Sequence, residues 1–241
     1  YANKVLGDVK SDNPSSMLRQ INDPSSDYMG DYYDGQMLYT SSAEPANLLL
    51  VAAASNMYYQ PYWRYGMTVA IRTELYKNGI FGYSWAYQTS GGYDYLIHRP
   101  LWTYYFQQDG LNANYGVMIS SIPLLTTEEV LLNRAEVNAL LHNYEDALID
   151  MNTFLSTRLN RSKWDGKPVT AAEVQNYFGI NPVNLPAWRQ YISYFPYFCD
   201  FKDEANLETF AYINAILTMR KAEFLGTGLR WFDVRRYDIP V

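Results

Sequence analysis

With 241 residues, 48% of them hydrophobic and 18% charged, the chain can bury one substantial core or two modest ones. Its net charge of -6 argues against nucleic acid as a partner, because phosphates call for a basic face.

The chain opens at Tyr1 without a basic stretch followed by an apolar one, so no signal peptide is read and a mature or cut fragment is expected. Up to about residue 45 it is rich in Ser, Asp, Asn, Pro and Gly. Asn13-Pro14, Asp23-Pro24 and Asp34-Gly35 are turn signals, which predict irregular structure with short strands or helical turns at most. Asp27, Asp31 and Asp34 lie close together before Gly35, but their spacing is not the alternating one of a calcium loop, so no metal site is read there.

A helix is expected from Ala46 to Tyr59. Its apolar run, Leu48 to Ala54, is too short to cross a bilayer, and no longer uncharged run occurs, so no transmembrane helix is expected. Pro61 is followed by the aromatic run Tyr62-Trp63-Arg64-Tyr65, and Thr68 to Lys77 fits either a helix or a strand. From 79 to 115 Gly and Tyr dominate. Tyr83, Trp85 and Tyr87 alternate at strand period, Gly91-Gly92 reads as a turn, and Tyr93 and Tyr95 resume the alternation: a small hairpin with one aromatic face.

The chain holds 24 Tyr, 6 Trp and 10 Phe. A tyrosine joins a flat apolar face to a polar tip, the combination on which a sugar can stack its C–H face while its hydroxyls find partners. Trp63, Arg64, Trp85, Tyr87, Tyr93 and Trp102 are therefore candidate ligand contacts, clustered in irregular Gly-rich segments where function concentrates. The competing reading for each ring is core packing.

Thr126, with Glu129 three residues on, has the pattern of a helix-starting capping box. Leu132, Ala135 and Ala139 then share one helical face. His142-Asn143 breaks the run, and a second helix follows with Tyr144, Ala147 or Leu148, Met151, Leu155 and Leu159 aligned. Small Ala135 and Ala147 let the two axes approach closely, and the pair resembles one tetratricopeptide unit, which must stack on further helices to bury both faces.

Pro and Gly keep the 161 to 205 stretch from forming long elements, although Ala171 to Phe178 reads as a short helix. Tyr191, Tyr194, Phe195, Tyr197 and Phe198 make a further aromatic patch. Cys199, the only cysteine, can form no internal disulfide. A last long helix is expected from 206 to 225, with Leu207, Phe210, Ile213 or Asn214, Leu217 and Phe224 inward, closed by Gly226 and Gly228.

Catalytic signatures are lacking. His98 and His142 are far apart, and no Gly-x-Ser-x-Gly elbow, phosphate loop or dinucleotide fingerprint occurs. Neither a cofactor nor a metal is expected.

Two segments carry a family resemblance. One is Ile122-Pro123-Leu124-Leu125-Thr126-Thr127-Glu128-Glu129-Val130-Leu131-Leu132-Asn133-Arg134-Ala135-Glu136, and the other runs from Arg220 to Arg236 through Gly228-Leu229-Arg230-Trp231-Phe232-Asp233. In this order, with the helix pair between them, they resemble the signatures of the RagB/SusD family, surface lipoproteins with which Bacteroidetes capture nutrients. The resemblance covers roughly the second half of the chain. Thr227 stands where the family usually has an acidic residue, and Gly226 where a larger one is usual.

The resemblance implies a mainly α, SusD-like helical fold. Residues 1–125 would form an irregular, aromatic-rich, ligand-facing region and 126–241 a helical scaffold, together one continuous domain and part of a longer protein. It also implies a non-catalytic protein at the outer-membrane surface that hands an oligosaccharide or peptide to a SusC-like TonB-dependent transporter. Membrane attachment would be through a lipid anchor absent from this chain, since Cys199 is internal. Arg134, Glu136, Arg220, Glu223, Arg230 and Asp233 are then expected to form buried or half-buried ion pairs that fix helix register, without touching ligand. A helical-repeat adaptor that binds protein or peptide is the alternative, and a glycoside hydrolase a weaker one. The central spatial expectation is that the closing Arg-Trp-Phe-Asp segment docks against the Asn-Arg-Ala-Glu helix.

Overall fold

The structure, a computed structural model, describes residues 1–23, 40–54, 70, 73–86, 88–89, 97–98, 103–111, 114–179, 204–225 and 227–237. Within these the chain is mainly helical with a little sheet. The Asp27, Asp31 and Asp34 group, the Tyr62 to Tyr65 run, the Gly91-Gly92 turn, Cys199 and the Tyr191 to Phe198 patch lie outside the described residues.

Three helices build the centre: α2 (Thr127–Leu140), α3 (Tyr144–Ser156) and α5 (Glu204–Glu223). The hydroxyl of Thr126 accepts a bond from the Glu129 N–H at 3.3 Å, so the Thr126 half of the expected capping box starts α2, without the reciprocal bond from Glu129. That helix ends where His142 takes φ 62°, a left-handed conformation that turns the chain back to begin α3. Leu131, Leu132, Ala135 and Ala139 of α2 are buried against Ala147, Met151, Phe154 and Leu155 of α3 and against Tyr212, Ile213, Ile216 and Met219 of α5. The alanines matter because a missing side chain lets the backbones come close while larger neighbours fill the rest. The turn is also tied to α5: the Tyr144 hydroxyl lies 2.8 Å from both Thr209 Oγ1 and His142 Nδ1, and its ring stacks on Tyr212.

Two shorter helices flank this centre. In α4 (Ala171–Phe178) Thr170 and Glu173 complete a reciprocal capping box, which offsets the cost of starting an eight-residue helix, and Val174 is buried. In α6 (Leu229–Tyr237) Asp233 and Tyr237 face inward while Trp231 and Phe232 are 57% and 65% exposed. Gly228, at φ 83°, supplies the left-handed step between α5 and α6.

The segment expected as a helix from Ala46 is instead a strand, β1 (Asn47–Ala54). Leu and Ala favour helices in isolation, but a short apolar run has no decisive period, and here pairing overrides propensity. β1 lies antiparallel to β5 (Gly116–Thr126), which also pairs with β4 (Thr103–Gln108), giving the order β1-β5-β4. Pro123 is tolerated in the middle strand because, among the described residues, it lies beyond the last β4 pair, Thr103 with Ser121, and is flanked by β1 alone. β5 runs straight into α2, so Thr126 serves as both the last sheet residue and the helix cap.

Of the region expected as a hairpin, Tyr87, Tyr93 and Tyr95 lie outside the described residues. β2 (Gln88–Thr89) pairs antiparallel with β3 (Ile97–His98), whereas Tyr83 and Trp85 make isolated bridges to Ile80 and Leu159. Thr73–Lys77, of ambiguous period, is a π-helical turn. Gly79 follows at φ 64° beside a tight turn in which the amides of Ile80 and Tyr83 bond to each other's carbonyls at 3.0 and 2.9 Å.

The start of the chain is irregular, as expected, with α1 (Ala2–Leu6) and a 3₁₀ turn at Pro14–Met17. It is nevertheless stitched to the helices. Arg134 of α2 donates to Asn3 Oδ1 and to the Gly7 carbonyl, Thr127 Oγ1 donates to the Met17 carbonyl, and Asn22 donates to the carbonyls of Ser156 and Leu159.

Candidate functional site

Of the six ring-bearing and basic residues proposed to touch ligand, Trp63, Arg64, Tyr87, Tyr93 and Trp102 lie outside the described residues. Trp85 is described, and it does not face solvent. Its side chain is completely buried, edge-on to Phe154 at 6.0 Å between ring centres. Its backbone amide bonds to the Tyr76 carbonyl, and the amide of the next residue, Ala86, bonds to the Arg158 carbonyl. Ser84, Trp85 and Ala86 are all buried, so the chain is covered on both sides over 84–86. Trp85 is a core residue, and its proposed ligand contact is corrected accordingly.

The motif charges are the part of the functional signature that can be followed atom by atom. All six of the expected ion-pair residues take part in ion pairs, in two assemblies and one separate clamp. At the α2–α5–α6 junction, buried Asp233 accepts from Arg220 Nε at 2.9 Å and from Arg236 Nη2 at 3.0 Å, with Arg230 Nη1 at 3.6 Å from its other oxygen. Arg220 also donates to Asn133 Oδ1 at 2.7 Å, and Arg236 donates to Glu136 Oε2 at 2.9 Å. The Tyr237 hydroxyl closes the ring on Glu136 Oε1. Burial, reinforced by the Glu136 carboxylate, raises the Tyr237 phenol above its ordinary range, so it stays a donor. Burial lowers the Arg230 pKa, with Asp233 opposing. Asn133 with Arg220, and Glu136 with Arg236, thus bring the two signature segments into direct contact; of the Arg-Trp-Phe-Asp run, Asp233 bonds to Arg220 and Arg236 within its own segment, while Trp231 and Phe232 face outward.

The second assembly was only partly foreseen. Glu223 accepts two bonds from Arg158, at 2.8 Å from Nε and 3.0 Å from Nη2. Arg158 Nη2 also reaches Glu128 Oε1 at 2.9 Å, and Glu128 is held from its other side by Arg19, through the backbone N–H at 3.0 Å and Nη1 at 2.8 Å. Arg158 further donates to the Arg19 carbonyl and to Thr157 Oγ1. The four side chains are at most 1% exposed, and two cations balance two anions. Burial works against the Arg158 charge, but Glu223 and Glu128 outweigh it and raise its pKa above the ordinary guanidinium value. The Arg158 guanidinium also lies 5.1 Å from the Phe154 ring centre.

Arg134 forms the separate clamp, a bidentate bond to Asp150 at 2.9 and 2.7 Å that joins α2 to α3. Burial raises the Asp150 pKa, although Arg134 partly offsets it. Sequence reading missed Arg19, Glu128, Asp150, Arg158 and Arg236 as partners. Glu128 lies in the first turn of α2 and Arg158 just past the end of α3, so neither position had a local signal of burial. These charges pair with one another, and their chemistry is the fixing of register between packed elements. No group of three or more His, Cys, Asp or Glu suited to a metal is present among the described residues, nor among them is any helix long and apolar enough to cross a membrane.

Comparisons with protein-family models, with curated proteins and with solved structures find no match for this chain.

Proposed function

We propose that the chain is part of a non-catalytic, surface-exposed nutrient-binding lipoprotein of RagB/SusD type. It would hold an oligosaccharide or peptide by ring stacking and hydrogen bonds and pass it to a SusC-like TonB-dependent transporter in the outer membrane. The single observation that carries this reading is the junction of Asn133 and Glu136 with Arg220, Asp233 and Arg236. Two segments about a hundred residues apart, each resembling a family signature, meet there through their own motif side chains. In this reading α2 and α3 form a tetratricopeptide-like pair within a SusD-like fold, α5 covers one face of the pair, and Trp63, Arg64, Tyr87, Tyr93 and Trp102 supply the contacts to ligand.

The test is isothermal titration of the chain with oligosaccharides of several linkages and with short peptides. Substitutions Trp63→Ala and Trp102→Ala are expected to weaken binding about fivefold or more while leaving the circular dichroism spectrum unchanged, a stacked ring being worth roughly 1 kcal/mol or more. Binding to neither ligand class, together with failure to co-purify a TonB-dependent transporter from an outer-membrane extract, would defeat the reading.

One observation favours protein contact as a second reading. Val137, Leu141, Trp231 and Phe232 are more than half exposed, and aromatic anchors of this kind are enriched at protein interfaces. Selective binding of peptides over oligosaccharides in the same titration would support it.

A further inference from the structure

We draw no further inference here: the strongest candidate, the outward aromatic face of α6 formed by Trp231 and Phe232, has nothing in the structure to show what covers it.

Discussion

Replacing Arg158 with Met is expected to destabilise the fold by about 3–5 kcal/mol, the usual cost of removing one partner from a buried ion pair. Glu223 bears the consequence. It is 1% exposed, and the substitution removes the guanidinium that holds both its oxygens. Glu128 suffers less, because Arg19 still reaches it through its backbone N–H and Nη1. The Met chain fills much of the Arg volume, so the loss is mainly electrostatic, with little cavity contribution. A loss of that size lowers the folded-to-unfolded ratio by on the order of 10²- to 10⁴-fold. Urea unfolding followed by far-UV circular dichroism measures it. Glu223→Gln alone should cost less, because it leaves a neutral acceptor facing Arg158. In the double variant Arg158→Met/Glu223→Gln the buried charges again sum to zero, so a favourable coupling of roughly 1–3 kcal/mol is expected. Strict additivity of the two single effects, within about 0.5 kcal/mol, would refute the claim that these side chains act as one balanced unit.

Trp85→Ala should lower stability by roughly 3–5 kcal/mol in the same urea assay, since it empties a buried site against Phe154; a stable variant with altered ligand binding alone would return Trp85 to the surface. Gly79→Ala should cost about 2 kcal/mol or more by thermal unfolding, because a Cβ there would meet the Tyr83 carbonyl oxygen at 1.8 Å in a left-handed conformation; an unchanged midpoint would show that the turn relaxes freely. Glu129 has a pKa raised above 4.5, chiefly by burial, with Arg220 opposing and Asp233 adding. The folded state therefore holds its proton more tightly than the unfolded one, and its stabilising contribution is complete below pH 4.5 and lost as pH rises through the folded value. Urea midpoints from about pH 4 to about pH 8 should show wild type losing ground to Glu129→Gln as pH rises, and a gap that is flat or moves the other way would contradict this.

Much of the helical scaffold was legible because its determinants are local. Thr126 caps α2, Ala135, Ala139, Ala147, Met151 and Leu155 fall on buried faces, and Phe210, Ile213, Leu217 and Phe224 point inward from α5 and its end. Each of these depends on neighbours within about four residues, so periodicity and capping suffice. β1 was not legible: its Leu-Leu-Leu-Val-Ala-Ala-Ala run suits a helix equally well, and its partner β5 lies some seventy residues later. For the candidate site, aromatic richness and alternation pointed to rings at the surface. Burial of a ring depends on what packs over it, and for Trp85 that is Phe154 and the Leu159 backbone, both remote in sequence.

By itself the sequence determined α2 to α5, the Thr126 cap and six of the charges that would have to be buried in pairs. Only the tertiary structure decided who pairs with whom. Arg19 meets Glu128 across 109 positions and Arg158 meets Glu223 across 65. A charge carries no record of its partner along the chain, and its cost is met only when packing brings the opposite charge within about 3 Å in a water-poor interior, where an unmatched one could not remain.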